Sequence, residues 1–406
     1  MQTFRSSQVK TGAASPIPDS TPRFHSGRTG VEPEAETVAL YVHWPFCVSK
    51  CPYCDFNSHV RAGIEQDAWR DALLADLAHE AALTGGRPLQ SIFFGGGTPS
   101  LMPPATVAAV VDAAKQAWAP APDLEITLEA NPSSVEAANF RDLASAGVNR
   151  VSLGLQALDD RTLHFLGRAH DVAEGLTALD IAQAVFPRVS FDLITARPGQ
   201  SLDEWDAELA QALSFGTEHL AIYQLTVEPG TRFATLLAKG ELTELDADEA
   251  ADLLILTRER TAQAGLPAYE VSNHARAHAE SRHNLQYWRM GDYVGIGPGA
   301  HGRRLQARSE RHKKPENYLR AVARNGHGIR EEALLDARER TTEILLMGLR
   351  LVEGVPISRL PLPDLIDMSA AERLRAHGLL TADSDRLQAT PEGSMVLNSL
   401  LAELLT

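Results

Sequence analysis

Cysteine is scarce in this chain, which has only three in 406 residues. All three lie in the stretch CVSKCPYC, from Cys47 to Cys54, with the spacing C-x3-C-x2-C. An odd number confined to eight positions does not fit a disulfide framework, which distributes paired cysteines along a secreted chain. Ligation of a metal ion or cluster is the better interpretation.

The chain also lacks long apolar runs and an excess of positive charge. No window approaches the ~18 uninterrupted apolar residues of a membrane span, and the formal net charge is −15. Because nonspecific nucleic-acid binding depends on clustered Lys and Arg, we expect no nucleic-acid partner. The composition instead predicts a cytoplasmic protein whose partners are small molecules or other proteins.

The N-terminal segment shows no apolar periodicity. It is rich in Ser, Thr, Pro and Gly, which predicts a disordered tail over residues 1–35. Because the segment has few acids and several basic residues, an organellar transit peptide is an alternative interpretation.

From residue 38, short β-rich runs alternate with longer amphipathic stretches. Six consecutive strand-then-helix units predict an α/β fold with a parallel sheet and crossover helices. The predicted strands are VALYVHW, SIFFGG, LEITLEA, RVSLGLQ, RVSFDLI and HLAIYQLTV. Since six units are too few for a closed eight-fold barrel, an open partial barrel and a doubly wound sheet both remain.

Chemically interesting residues follow these strands at one end. They are Cys47, Cys51 and Cys54 after the first strand, Gly95 to Pro99 after the second, Glu129 and Asn131 at the end of the third, Gln156 at the end of the fourth, and Asp192 late in the fifth. Ligands of parallel sheets bind at the carboxyl ends of the strands. We therefore expect these residues to share one rim.

The pattern changes after about residue 245. Residues 265–330 are aromatic and glycine-rich, which predicts a loop-rich connector, and residues 331–406 read as helices followed by a hairpin. That order predicts a small, winged-helix-like α+β domain. The domain carries 13 acidic and seven basic residues, so we do not expect it to bind DNA.

The cysteine spacing leaves two kinds of metal site open. A structural zinc site needs four protein ligands, and His43 or His59 could supply the fourth. A four-iron cluster held by three thiolates keeps one iron open to a ligand from outside the protein. The second arrangement suits cofactor binding or catalysis.

The cysteine motif after a first strand, together with GGGTP after the second, resembles the radical S-adenosylmethionine (SAM) superfamily. The resemblance implies a partial (β/α)6 barrel over residues 36–264. It also implies that Cys47, Cys51 and Cys54 ligate a [4Fe-4S] cluster whose open iron binds the amino and carboxylate groups of SAM. The residues implied to contact SAM are Tyr41, Gly96, Gly97, Thr98, Glu129, Gln156, Arg168 and Asp192.

The longer string YVHWPFCVSKCPYCDFNSH resembles one branch of this superfamily, which contains oxygen-independent coproporphyrinogen oxidases and heme chaperones. The oxidases carry an additional cysteine two residues after the third, where this chain has Phe56. The stretch HNLQYW resembles the heme-binding motif of the chaperones, which implies heme contacts by His283, Tyr287 and Trp288. His301 is a second candidate ligand.

These resemblances imply a heme chaperone that delivers heme to acceptor proteins, among them membrane respiratory proteins, with the cluster and SAM setting its conformation or oligomeric state. A homodimer is one such state. Two alternatives stay open: a coproporphyrinogen oxidase that uses a 5′-deoxyadenosyl radical, and a zinc-stabilised interaction protein.

Overall fold

The structure is a computed structural model that describes residues 37–61 and 63–405. The disordered tail predicted for residues 1–35 lies outside this range. The described residues belong to one compact unit. No helix in the described part of the chain is both long and apolar enough to cross a membrane.

An eleven-stranded sheet forms the centre of the described residues, with the strand order β13-β12-β11-β10-β1-β4-β5-β6-β7-β8-β9. The strands are β1 (Val38–Trp44), β2 (Phe46–Cys47), β3 (His59–Val60), β4 (Pro88–Gly96), β5 (Ala119–Ala130), β6 (Arg150–Gln156), β7 (Arg188–Thr195), β8 (His219–Gln224), β9 (Asn273–Ala275), β10 (Asp292–Ile296), β11 (His301–Arg304), β12 (Ala307–Arg311), β13 (Ile329–Leu334), β14 (Val355–Pro356) and β15 (Arg386–Leu387). The sheet is open, with β13 and β9 at its edges. The prediction of an open α/β sheet is therefore confirmed.

The six predicted strands correspond to β1 and β4 to β8, which pair in parallel in chain order. A seventh parallel strand, β10, pairs with the other side of β1. It was not predicted because DYVGI is short and interrupted by glycine. Since β10 lies in the segment predicted to be a loop-rich connector, that segment extends the sheet instead of only linking two domains.

Fifteen α-helices lie between or after these strands along the described part of the chain. They are α1 (Gln66–Thr84), α2 (Pro104–Ala117), α3 (Ser134–Ala138), α4 (Phe140–Ser145), α5 (Asp160–Phe165), α6 (Val172–Val185), α7 (Leu202–Ser214), α8 (Arg232–Ala238), α9 (Ala247–Gln263), α10 (Arg282–Trp288), α11 (Pro315–Asn325), α12 (Ala337–Gly348), α13 (Met368–Ala376), α14 (Pro391–Met395) and α15 (Leu397–Leu404). The local sequence determines where several of these helices begin. In α7, for example, Ser201 and Glu204 form a reciprocal capping box that satisfies two backbone N–H groups.

A buried charge cluster joins α1 to the antiparallel extension β10–β13. Arg311, which is fully buried, forms ion pairs with Asp76 and Glu80 of α1, and Arg304 also pairs with Glu80. The hydroxyl of Tyr318 donates to Asp76 at 2.9 Å. Buried charges are costly unless they are paired in this way, so the cluster fixes the position of the extension.

The C-terminal residues pack around a separate apolar cluster formed by α12 to α15 and the β14–β15 pair. In α15, Leu397, Leu400, Leu401 and Leu404 are buried, which is the spacing of a one-faced amphipathic helix. The predicted hairpin is present, with Leu380 bridged to Ala389. The predicted boundary at residue 331 falls inside β13, so the main sheet continues to Leu334.

Candidate functional site

The three cysteines lie on one short loop at the carboxyl end of β1. Strands β2 and β3 pair in parallel, with Cys47 opposite Val60, and so close the segment 47–60, which we call the Cys loop. All three thiols are free and half-buried. Burial raises the pKa of Cys47 and Cys54, and a charge on Cys51 raises both pKa values further. The three sulfurs are therefore close enough to interact.

The donor set fits a cluster of several irons. Among residues 37–61 and 63–405, no three His, Cys, Asp or Glu side chains converge as the ligands of a single metal ion would. The thiolates of a cubane cluster bind separate irons, so they do not need to converge on one point. Both ring nitrogens of His43, a candidate fourth zinc ligand, are hydrogen-bonded, to the hydroxyl of Tyr41 and to the carbonyl of Asn57, each at 2.9 Å. The other candidate, His59, has a buried Nε2 without a partner among the described residues.

The glycine-rich turn after β4 lies directly against the start of the Cys loop. The N–H of Gly97 donates to the carbonyl of Trp44 at 2.7 Å, and that of Thr98 donates to the carbonyl of Phe46 at 2.8 Å. A Cβ on Gly97 would lie 2.6 Å from the oxygen of Phe46. Gly96 has a φ of +114°, and a Cβ there would meet the ring of His43. Only glycine therefore fits at these two positions.

Two carboxyl groups lie on the same side of the sheet, near the ends of β5 and β7. Glu129 accepts a hydrogen bond from the N–H of Gly96 at 3.1 Å, and Asp192 accepts one from Ser152 at 3.0 Å. Burial, together with the charge of Asp192, raises the pKa of Glu129 to about 7. Burial also raises the pKa of Asp192 to about 6. Both groups therefore change charge close to neutral pH.

Arg168 links the Cys loop to the ends of β5 and β6. Its Nη1 donates to Sγ of Cys51 at 3.5 Å, and its Nη2 donates to Asn131 at 2.7 Å and to the carbonyl of Gly154 at 2.9 Å. Asn131 donates in turn to Thr98 at 3.2 Å. Asn131 was predicted to lie on the rim but not to contact Arg168, and the stretch EANP, residues 129–132, is the sequence signal that could have indicated it.

Gln156 lies on the rim of the site, whereas Tyr41 lies below it. Gln156 ends β6 with a φ of +69°, and its side-chain amide lies over Gly154, where a Cβ would be 2.9 Å from Nε2. Tyr41 lies in the middle of β1, and its ring stacks on Phe93 with centroids 6.3 Å apart. The structure thus brings most of the predicted SAM contacts to one rim and places Tyr41 below it.

His283 lies in a different part of the fold from the Cys loop. It is 1% exposed. Its ring Nδ1 is 2.9 Å from Oγ of Ser91, and its ring Nε2 is 3.0 Å from the hydroxyl of Tyr287. Its backbone N–H donates to the carboxylate of Glu125 at 3.3 Å. Ser91 of β4 and Glu125 of β5 lie opposite each other in the sheet. The predicted heme ligand is therefore a buried side chain with both ring nitrogens occupied.

The residues of the predicted heme motif do not share one surface. His283 and Tyr287 lie on one face of α10, whereas the Trp288 ring lies 5.9 Å from the guanidinium carbon of Arg350. Nε1 of Trp288 is buried and has no partner among the described residues. The second candidate, His301, begins β11 and is exposed. The structure brings two of the three motif residues together.

A second buried histidine repeats the arrangement around His283. Nδ1 of His219 is 2.7 Å from Ser190, and its Nε2 is 3.0 Å from the hydroxyl of Tyr269. Burial lowers the pKa of His219 well below its usual value and lowers that of His283 to about 3. Both imidazoles are therefore neutral at physiological pH.

Two family models match the chain: the radical SAM superfamily over residues 41–212 and the HemN C-terminal domain over residues 335–396. A mouse protein, the mitochondrial radical S-adenosyl methionine domain-containing protein 1, is 41% identical, and the match covers 98% of this chain and 95% of that protein. The heme chaperone HemW of Escherichia coli is 37% identical, with 90% of this chain and 97% of that protein covered. HemW of Bacillus subtilis is 32% identical, with 90% and 99% covered.

Among solved structures, the coproporphyrinogen III oxidase HemN of Escherichia coli matches with a TM-score of 0.77 over 91% of this chain and 90% of that chain, at 21% identity. At this identity the likeness establishes the fold alone. The relatives with higher identity extend over nearly the whole of both chains. This chain therefore belongs to the radical SAM family that includes the heme chaperone HemW.

Proposed function

We propose that this protein is a heme chaperone, which binds heme and passes it to heme-requiring acceptor proteins. The observation that carries the proposal is the 37% identity to the Escherichia coli heme chaperone HemW over 97% of that protein. The match covers 90% of this chain, whereas the radical SAM family model covers residues 41–212, so it does not depend on the SAM portion alone.

The proposed cofactors are a [4Fe-4S] cluster held by Cys47, Cys51 and Cys54, and SAM bound beside it. The cluster supplies a redox-active centre with one iron open to an outside ligand. Around it, Gly96 and Gly97 place no side chain in the way of a ligand, and the carboxylate of Glu129 can accept hydrogen bonds from amino or ribose hydroxyl groups. The other proposed SAM contacts are Tyr41, Thr98, Gln156, Arg168 and Asp192.

We propose His283 as the heme ligand, with Tyr287 and Trp288 as neighbouring contacts. Its imidazole is neutral because burial lowers its pKa to about 3, and a neutral imidazole has one ring nitrogen whose lone pair can bind iron. The hydrogen bond between Nδ1 and the hydroxyl of Ser91 fixes the orientation of the ring, as the partners of metal-binding histidines generally do. Ligation requires that Tyr287 release Nε2.

The second candidate function is oxidation of coproporphyrinogen, which the fold shared with HemN favours. Phe56 argues against it, because the oxidase motif has a cysteine at this position. We expect cluster-loaded protein to consume no coproporphyrinogen in the presence of SAM and a reductant. Formation of protoporphyrinogen by protein that binds no heme would replace the chaperone proposal with the oxidase.

Heme transfer tests the proposal directly. Heme-loaded protein is mixed with the apo form of a soluble b-type cytochrome, and the acceptor's Soret band is followed after the two proteins are separated. We expect transfer faster than the release of heme to an excess of apomyoglobin, a passive scavenger. Equal rates to the two acceptors would show passive release and would contradict chaperone activity.

We further propose a cytoplasmic location and a dimer whose formation depends on the cluster and SAM. Sedimentation of cluster-loaded protein with and without SAM measures the second point, with a shift from monomer to dimer expected. Cell fractionation measures the first, with the protein recovered in the soluble fraction.

A further inference from the structure

One cationic side chain contacts the sulfur of a proposed cluster ligand. Nη1 of Arg168 donates a hydrogen bond to Sγ of Cys51 at 3.5 Å, across 117 positions of the chain. Arg168 follows α5, whereas Cys51 lies in the Cys loop. The contact is therefore tertiary, and it depends on the assembled rim of the sheet.

Two further hydrogen bonds hold the guanidinium in place. Nη2 donates to Oδ1 of Asn131 at 2.7 Å and to the carbonyl oxygen of Gly154 at 2.9 Å. Gly154 leaves room for this approach, because a Cβ there would lie 3.1 Å from Nη2. Since the planar guanidinium group is rigid, fixing Nη2 also fixes the direction of the Nη1 donor toward the sulfur.

We propose that Arg168 raises the reduction potential of the [4Fe-4S] cluster through its charged hydrogen bond to Cys51, an inference that rests on the proposed cluster. Reduction adds one electron, taken from a low-potential one-electron donor, and converts [4Fe-4S]2+ to [4Fe-4S]+. A positive charge and an N–H donor at a ligand sulfur stabilise the reduced form, which carries more negative charge. Arg168 acts here as a positioning and tuning residue.

The chain offers a matched control cation. Arg232 is exposed and immediately precedes Phe233, whose N–H donates to the carbonyl of Pro52, the residue after Cys51. Arg232 therefore lies on a segment attached to the Cys loop, but the structure records no hydrogen bond from its side chain to a described sulfur. Solvent screens an exposed charge of this kind.

The test is an anaerobic redox titration of cluster-reconstituted protein without SAM, followed by electron paramagnetic resonance of the reduced cluster. The variants are Arg168→Met, Arg168→Lys and Arg232→Met, each first assayed for iron and sulfide content. At a fixed potential, we expect the ratio of reduced to oxidised cluster to be about tenfold lower in Arg168→Met, which is a shift of about 59 mV for one electron. Arg168→Lys should fall between it and the wild type, and Arg232→Met should match the wild type.

Equal midpoint potentials for fully loaded wild type and Arg168→Met would overturn the inference, as would an equal shift in Arg232→Met. If Arg168→Met does not retain its cluster, Arg168→Lys provides the test. An unchanged midpoint potential in Arg168→Lys overturns the inference, and a lowered midpoint potential supports it. Since SAM is absent, a loss of SAM binding cannot produce the shift. Failure of the wild type to assemble a cluster would instead refute the proposed cofactor.

Discussion

Nε2 of His283 lies 3.0 Å from the hydroxyl oxygen of Tyr287, one turn later in the same helix. The proposed heme ligand is thus paired with another residue of its own motif. Heme iron can bind Nε2 only after this hydroxyl has moved away. The Tyr287 hydroxyl therefore competes with iron for the imidazole.

Replacing Tyr287 by Phe should strengthen heme binding, because the ring is kept and the competing hydrogen bond is removed. A net hydrogen bond contributes about 1 kcal/mol, so we expect the dissociation constant to fall by about fivefold. Soret-band titration measures it. Tyr293→Phe is the control, because Tyr293 packs edge-on against Tyr287 with centroids 4.2 Å apart but makes no recorded hydrogen bond to His283. Weaker binding by Tyr287→Phe than by the control would contradict the competition.

Glu129 should make stability depend on pH in a direction unusual for a carboxyl group. Burial raises its pKa to about 7 in the folded protein, compared with about 4.5 in the unfolded chain. The folded state therefore holds a proton that the unfolded state has lost, and stability falls as pH rises from about 4.5 to 7. Glu129→Gln removes this loss, so its stability relative to the wild type should be greater at pH 8 than at pH 5.

Urea unfolding at these two pH values measures the effect. Glu259→Gln, which changes an exposed carboxyl of α9, is the control. A difference between Glu129→Gln and the wild type that stays constant from pH 5 to pH 8 would show that the Glu129 carboxyl is not buried as described.

The buried charge cluster predicts a large loss of stability. Asp76 is fully buried and accepts hydrogen bonds from Tyr318 at 2.9 Å and from the N–H of Gly328 at 3.1 Å. Asp76→Ala leaves the Arg311 charge with one partner fewer, so we expect about 3–5 kcal/mol less free energy of unfolding. Asp71→Ala, on the exposed side of the same helix, should cost less than about 1 kcal/mol. Similar losses in both variants would argue against this role for the cluster.

Gly97→Ala should displace the Cys loop. The added Cβ would lie 2.6 Å from the carbonyl oxygen of Phe46, so the backbone must shift. Overpacking of this kind costs about 1–3 kcal/mol. We expect reconstituted protein to contain less iron and sulfide than the wild type. Gly216→Ala is the control for backbone strain without a clash, because Gly216 has a φ of +74° but an added Cβ meets nothing within 4 Å, so its cluster content should match the wild type. Full cluster content in Gly97→Ala would contradict the close packing of the turn.

The central sheet was largely predictable because its parallel strands are continuous apolar runs buried on both faces. In β1, for example, the consecutive residues Val38, Ala39 and Leu40, which point to alternate faces, are all fully buried. The extension β10–β13 was not predictable, because its strands carry charged residues such as Arg304 and Arg311. Both form buried ion pairs with Glu80 of α1, more than 200 positions earlier in the chain. No local pattern reveals such a pairing.

The rim was predictable for a geometric reason, because the carboxyl ends of neighbouring parallel strands meet at one edge. The environment of His283 was not predictable from the sequence. Its spacing from Tyr287 indicates a shared helix face, but its contact with Ser91 spans 192 positions. The contact of Arg168 with Cys51 likewise depends on the assembled rim. The sequence pattern thus identified the residues of the candidate site, whereas their hydrogen-bond partners could be identified only from the folded structure.

The most direct test of the account is an anaerobic heme titration of cluster-reconstituted protein, with wild type, His283→Ala and His301→Ala measured in parallel by the Soret band. We expect saturable binding by the wild type near one heme per chain, retained in His301→Ala and lost in His283→Ala. Saturable binding that survives in His283→Ala would remove this residue as the ligand. The absence of saturable binding by the wild type would contradict the proposed heme chaperone.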